Sequence, residues 1–129
     1  MFLMDTDVFT LFQTGDVRVA ANVADCHEDQ LAISIITVEE VLNGWYSRLR
    51  RRNSAEQTVA VYSRLQSAVE FCSRVRILPC TLESVEIFAT LRCQAPNVGP
   101  NDLRIVAIAL VAGRPSSPET FGTSAASPA

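Results

Sequence analysis

Three carboxylates stand where two apolar segments end and a third begins. Asp5 follows the run FLM, Glu40 lies shortly after the run LAISII, and Asp102 opens the apolar part of NDLRIVAIALVAG. In a chain that alternates strands and helices, strand ends and helix starts meet at one edge of a parallel sheet. Carboxylate oxygens gathered there are ligands for Mg²⁺ or Mn²⁺. The pattern therefore predicts a divalent-cation site made by Asp5, Glu40 and Asp102.

Such a cation could activate a water for hydrolysis, and a phosphodiester is one class of substrate it suits. A bound metal lowers the pKa of its water, aligns that water with the phosphorus and offsets charge on the leaving oxygen.

Two further acids are secondary: Asp7 could support the site, and Glu39 is turned by about 100° from Glu40 on a helix and is expected to face solvent. His27 is the only histidine, so a histidine zinc site or a Ser-His-Asp triad is not indicated.

Each acid also has a purely structural interpretation. Asp5 can cap a helix by accepting a backbone N–H of the first turn. Thr37 and Glu40 have the spacing of a capping box, in which the carboxylate reaches back to the N-cap. Asp102 can be an acid in the first turn of a helix, where the helix dipole stabilises its negative charge, with Asn101 as the N-cap. The pattern alone leaves capping and metal binding open, and we expect Asp102 to be buried near the sheet edge.

The elements that must position these acids alternate along the chain. Strands are predicted at FLM, LAISII and VRILPC, and the sheet should be parallel and flanked by helices. Helices are predicted at VFTLFQTG, ended by Gly15, and at VRVAANVADC. Further helices are predicted from Thr37 to about Arg51, over 54–73, after a Thr81 cap, and from Asp102.

The chain of 129 residues is 48% hydrophobic, enough for one domain. We expect the domain to span residues 1–113 and the Ser-, Pro-, Ala- and Thr-rich residues 114–129 to be an irregular, disordered tail. No apolar segment reaches the ~20 residues of a membrane span, and no signal sequence is apparent. The four cysteines lack C-x-x-C spacing, so we expect a cytoplasmic protein whose reduced cysteines pack in the core.

The segments MFLMDTDVFTLF, ISIITVEEVLNGW and NDLRIVAIAL together resemble the three motifs of the PIN-domain ribonucleases, specifically the VapC-like toxins of bacterial toxin–antitoxin pairs. In the second segment Thr37, Glu40 and Gly44 have the expected spacing. The resemblance implies a PIN-like three-layer α/β/α sandwich with a central parallel sheet. It also implies a Mg²⁺- or Mn²⁺-dependent endoribonuclease, a homodimer and an inhibitory antitoxin, with Asp5, Glu40 and Asp102 at the family's acidic metal positions.

The resemblance stops at Gly113. The family continues there with a strand and a T-R-N-x-x-D-F-like motif that carries a fourth acidic residue, and residues 114–129 contain neither. Read one frame over, with permitted third codon bases, the same stretch becomes A-T-L-V-T-R-N-L-R-D-F. We therefore expect a one-nucleotide deletion at about Gly113, in the gene or in its sequencing, a missing last strand, and weakened or absent activity.

Binding to nucleic acid would need a local basic patch, because the net charge is −3 and the pI is about 5.1. Arg48 and the arginines at 50–52 could bind RNA phosphates or an acidic segment of the antitoxin, or simply form a solvated helix end. Trp45 and Tyr46 could stack on bases, but their helical spacing favours packing in the core.

Two other functional classes remain open. One is an inactive remnant that still binds an antitoxin helix in a groove. The other is a phosphatase of the haloacid-dehalogenase type, with Asp5 as nucleophile and Asp7 as acid. The absence of any lysine from the chain disfavours the phosphatase.

Overall fold

A short parallel sheet organises the chain. The structure, a computed structural model, describes residues 1–113. Three strands, β1 (Phe2–Met4), β2 (Leu31–Ser34) and β3 (Arg76–Leu78), lie in the order β1-β2-β3, and both pairs are parallel. All four residues of β2 are buried, as expected for a strand covered on both faces.

Six helices accompany the sheet, and most begin at a side-chain cap. A short 3₁₀ turn, Glu28–Gln30, precedes β2. Gly15, with φ +87°, adopts the left-handed conformation just after the first helix, as the sequence predicts. The helices are α1 (Thr6–Gln13), α2 (Val17–Ala24), α3 (Ile35–Leu49), α4 (Ala55–Cys72), α5 (Leu82–Gln94) and α6 (Pro100–Ala112).

The two faces of the sheet carry separate apolar clusters. On one face Met4 and Ile33 pack with residues of α1, α3 and α4, including the rings of Phe9 and Phe71. On the other face Ala32 and Leu78 pack with Ile108 of α6. Neighbouring residues of a strand point to opposite faces, so helices cover the sheet on both sides. The predicted α/β/α arrangement with a central parallel sheet is confirmed within residues 1–113.

The start of α3 differs from its prediction. The β-branched run LAISII was expected to be a strand throughout, with Thr37 as the following cap. Instead Ser34 ends β2 and caps α3, because its buried hydroxyl accepts the Thr37 backbone N–H at 3.1 Å. Ile35 and Ile36 therefore belong to the helix.

Several other expectations can be checked in the described residues. Cys72 is buried and Cys26 half-buried, but Cys80 and Cys93 are exposed, so packing in the core is wrong for the last two. None of the helices within residues 1–113 is long and apolar enough to cross a membrane. The predicted irregular tail, the missing last strand and the frame change all concern residues 114–129, which lie outside the described residues.

Candidate functional site

The carboxyl end of β1 places Asp5 at the edge of the sheet. Asp5 has an extended backbone and caps α1, because its Oδ1 accepts the Val8 backbone N–H at 2.8 Å. Its side chain is exposed. The capping role considered from the sequence is confirmed, and one carboxylate oxygen of Asp5 has no part in that bond.

Glu40 stands one and a half turns into α3, on the side that faces the same edge. The Thr6 hydroxyl donates a hydrogen bond to Glu40 Oε1, and the Asn101 amide donates one to Glu40 Oε2 at 3.0 Å. The side chain is half-buried. The capping box with Thr37 is wrong, because Ser34 is the cap and the Glu40 carboxylate turns to α1 and α6 instead.

Asp102 lies in the first turn of α6. This helix begins at Pro100 after Gly99, which offers no side-chain cap. The prediction that Asn101 caps the helix is therefore wrong, and so is the prediction of burial, because Asp102 is exposed. Its Oδ2 would lie 3.6 Å from a Cβ added to Gly99, so the carboxylate sits beside the turn that starts α6.

A chain of contacts orients the Asn101 amide. Arg104 Nη1 donates to Asn101 Oδ1 at 2.7 Å, which leaves the amide N–H₂ to face Glu40. The Arg104 guanidinium lies over the Phe88 ring of α5, 4.7 Å from its centroid. The Glu40 carboxylate is thus held by donors on two other helices, and the donor on α6 is itself held in place.

The edge brings the chain neighbours of Asp5 and Asp102 into contact with Glu40, but among the described residues it does not close a metal site. These neighbours are Thr6 and Asn101. All three acids offer the hard oxygen donors that Mg²⁺ takes. Within residues 1–113, however, no three Asp, Glu, His or Cys side chains are placed to hold a metal ion. The metal site stays a prediction.

The other titratable residues singled out in the sequence stay at the surface. Asp7, Glu39 and His27 are exposed, as expected for Glu39. Burial raises the pKa of the Cys72 thiol above its ordinary value. This cysteine belongs to the apolar cluster on the Met4 face of the sheet.

A groove leads away from Glu40. A cavity of about 240 Å³ begins at Thr6 and Glu40 and reaches Trp45 and Arg48. A second cavity of about 300 Å³ shares Thr14, Trp45 and Arg48 with the first and continues to α4. We call the two together the α1–α3–α4 groove; the outer cavity is lined by Thr14, Trp45, Arg48, Asn53, Gln57, Ala60, Val61 and Arg64.

Gln13 joins the three helices beneath this groove. Its Oε1 accepts the Trp45 indole N–H at 3.2 Å, and its Nε2 donates to the Arg64 carbonyl at 3.2 Å. The Arg64 guanidinium donates in turn to the Gln13 carbonyl. Gln13 and Arg64 were missed in the sequence, where the only signal is an amide at the end of a short helix and an arginine within a long one.

Trp45 and Tyr46 were both predicted to pack in the core, and the prediction holds for Trp45 alone. Trp45 is half-buried against the core, as expected, and the Arg48 guanidinium lies 5.6 Å from its ring centroid. Tyr46 is 42% exposed, so core packing is wrong for it. The arginines at 50–52 follow the end of α3 and are exposed.

Comparison with known proteins gives matches among solved structures alone. No protein-family model and no curated protein matches the chain. FitAcB from Neisseria gonorrhoeae is 26% identical, with a TM-score of 0.67, over 84% of this chain and 80% of that one. A toxin–antitoxin complex from Klebsiella pneumoniae is 21% identical, with a TM-score of 0.66, over 87% and 80%.

A third structure is VapBC2 from Rickettsia felis bound to a DNA fragment from their promoter. It is 20% identical, with a TM-score of 0.61, over 83% of this chain and 77% of that one. The three matches cover between 83% and 87% of this chain. The resemblance to VapC-like PIN-domain toxins that the three motifs carry is confirmed.

Proposed function

We propose that this chain, which shares its PIN-like fold with toxins of toxin–antitoxin complexes, is a metal-dependent endoribonuclease toxin. The observation that carries the proposal is the position of Glu40 at the sheet edge, held between Thr6 and Asn101. A half-buried carboxylate needs compensating partners, and here those partners are the chain neighbours of two further acids. Asp5, Glu40 and Asp102 are the residues that would act on RNA.

The cation in this proposal is Mg²⁺ or Mn²⁺, held by oxygens of Asp5, Glu40 and Asp102. Such an ion supplies a water of lowered pKa and offsets charge on the phosphate. Thr6 and Asn101 are positioning residues, because each fixes one oxygen of Glu40. Metal binding requires the exposed carboxylates of Asp5 and Asp102 to turn towards Glu40.

The protein partner in this proposal is an antitoxin. A cavity of about 290 Å³ between α1, α2 and α4 has an apolar lining that includes Phe12, Val23 and Phe71, with Arg74 beside it. An amphipathic segment with an acidic residue next to its apolar face suits such a groove. The proposal places the pair in the cytoplasm, where RNA is available.

We also propose a homodimer. Leu82 and Val85 on α5, and Val106 and Leu110 on α6, are exposed apolar residues with helical spacing within each helix. The two helices pack against each other, and exposed apolar surface of this kind is typical of protein interfaces. Sedimentation equilibrium of the purified chain would measure the oligomeric state, and a monomer at all concentrations would contradict this part.

The experiment that tests the proposed activity combines calorimetric titration of Mg²⁺ and Mn²⁺ with cleavage of a mixed RNA pool. We expect Asp5→Asn, Glu40→Gln and Asp102→Asn each to lose metal binding and to reduce cleavage by about a hundredfold or more. Glu39→Gln is the matched control, because Glu39 is the exposed neighbour of Glu40 on α3. Cleavage that survives all three substitutions would contradict the proposed site.

An inactive, antitoxin-binding protein is the second candidate. It is favoured by the finding that no three possible ligands are placed to hold a metal within residues 1–113. The two candidates can be separated with a variant whose residues 114–129 are replaced by the shifted-frame segment. A gain of metal-dependent cleavage would favour a toxin inactivated by a frame change. Equal cleavage by both chains, or third codon bases that do not permit the shift, would exclude that explanation.

A further inference from the structure

We infer that the α1–α3–α4 groove is the path of a single-stranded RNA substrate, with Arg48 and Arg64 binding its phosphates and Trp45 contacting a base. The inference rests on the proposed nuclease function, because the groove begins at Glu40. It adds a binding surface and names the residues that hold the strand beyond the site of cleavage.

Charge is the first argument. The chain carries a net charge of −3, yet the outer cavity is lined by two arginines and no acid. A polyanion is attracted to this local excess of positive charge in spite of the acidic chain. Both guanidinium groups are exposed side chains, and arginine is well suited to phosphate oxygens because it offers a planar set of donors.

Shape is the second argument. Each cavity lies at or below the lower end, about 300 Å³, of pockets that enclose a small molecule. Because Thr14, Trp45 and Arg48 line both cavities, the two lie side by side, and an extended chain that passes over both fits better than an enclosed ligand. Trp45 is an aromatic side chain that lines both cavities, and aromatic side chains with arginines are the usual means of holding single strands.

Rigidity is the third argument. The Gln13 side chain accepts the Trp45 indole N–H, and the Gln13 carbonyl accepts a hydrogen bond from the Arg64 guanidinium. Arg48 lies over the Trp45 ring. The side chains that would meet RNA are therefore fixed relative to one another before the strand binds. Such preorganisation reduces the entropy lost on binding.

The test is fluorescence anisotropy of a short, labelled single-stranded RNA of mixed sequence, with EDTA present so that cleavage does not interfere. We expect Arg48→Gln and Arg64→Gln each to weaken binding by roughly fivefold to tenfold. Each should also lower the slope of log affinity against log salt by about 0.7, the value for one phosphate contact on a single strand. Arg18→Gln, an exposed arginine of α2 outside the groove, is the matched control and should change neither quantity.

Three further measurements make the outcome decisive. Circular dichroism and the thermal midpoint establish that each variant is folded, and Arg48→Lys keeps the charge if Arg48→Gln is unstable. Trp45→Leu should weaken binding of RNA but leave the salt slope unchanged, because stacking releases no counterions. Wild-type affinity for RNA in the Arg48→Gln/Arg64→Gln double variant would overturn the inference. The inference would also be overturned if a poly-glutamate peptide bound the wild-type protein as tightly as RNA does and lost as much affinity as RNA in every variant.

Failure of this inference and failure of the proposed function give different results. Metal-dependent cleavage that Glu40→Gln abolishes, with RNA affinity indifferent to Arg48 and Arg64, would leave the nuclease intact and overturn the groove. RNA affinity that falls in the arginine variants, with no cleavage in Mg²⁺ or Mn²⁺, would support the groove and contradict the nuclease.

Discussion

The sheet edge and the α1–α3–α4 groove are built in different ways. At the edge, Asp5 follows a strand and Asp102 lies in the first turn of a helix, so their places follow from local signals. In the groove, the contact between Gln13 and Arg64 joins residues 51 positions apart. The difference shows that residues placed by strand ends can be recognised in a sequence, whereas contacts such as that of Gln13 with Arg64, which join separate helices, cannot.

Helix α1 links the two regions. Thr6 at its start holds Glu40, and Gln13 at its end holds Trp45 and Arg64. Helix α3 also links the two regions, because Glu40 lies five residues before Trp45 on it. A perturbation of the packing beneath α1 should therefore affect both regions, and a perturbation of a single side chain should affect one.

The largest effect is expected from Phe71→Ala. The Phe71 ring lies 5.4 Å from that of Phe9 and 5.0 Å from that of Phe12, measured between centroids, and it is buried. Its removal leaves a cavity under α1, so the free energy of unfolding should fall by about 3–5 kcal/mol. Urea denaturation measures this. Val59→Ala, on an exposed position of the same helix, should stay within about 0.5 kcal/mol of wild type.

A narrower change should separate the edge from the groove. Asn101→Ala removes the amide that donates to Glu40 Oε2, and loss of a partner that orients a metal ligand typically costs about tenfold to a hundredfold. We expect cleavage to fall by that factor while the affinity for RNA in EDTA is unchanged. Arg104→Met, which removes the group that orients Asn101, should have a smaller effect in the same direction. Equal losses of RNA affinity would show that the two regions are not independent.

The Ser34 cap of α3 can be tested for its contribution to stability, because α3 carries both Glu40 and Trp45. Ser34→Ala removes a buried hydroxyl that accepts the Thr37 N–H and donates to Thr37 Oγ1 at 3.2 Å. The free energy of unfolding should fall by about 1–2 kcal/mol. Ser54→Ala removes the exposed cap of α4 and should cost less, about 0.5–1 kcal/mol. A larger fall in the free energy of unfolding for Ser54→Ala than for Ser34→Ala would contradict the expectation that the buried cap stabilises the protein more.

The smallest effect concerns pH. Burial raises the pKa of the Cys72 thiol above the ordinary value of 9.0, so the folded state binds this proton more tightly than the unfolded state does. The resulting stability is present below pH 9.0 and is lost as the pH rises through the higher folded value. Denaturation curves at neutral and alkaline pH should therefore show a steeper alkaline loss for wild type than for Cys72→Ala. Parallel losses in the two proteins would exclude the thiol as the cause.

Much of the fold follows from short-range patterns. The three strands lie within the predicted segments, and the left-handed Gly15 and the Thr81 cap of α5 are where the sequence predicts them. Each depends on residues within three or four positions of one another, so local preference settles it. Where two local signals compete, as at LAISIIT, the sequence does not decide, and burial of Ser34 against Thr37 selects the earlier cap.

The sequence by itself determined that Asp5 would follow a strand and that Asp102 would lie at the start of a helix, because both places follow from local patterns. Only the tertiary structure decided what Glu40 contacts, since its partners Thr6 and Asn101 lie 34 and 61 positions away. The same is true of the groove, where Gln13, Trp45 and Arg64 meet through the packing of three helices. Contacts of this range depend on how elements pack, and no spacing within one element encodes them.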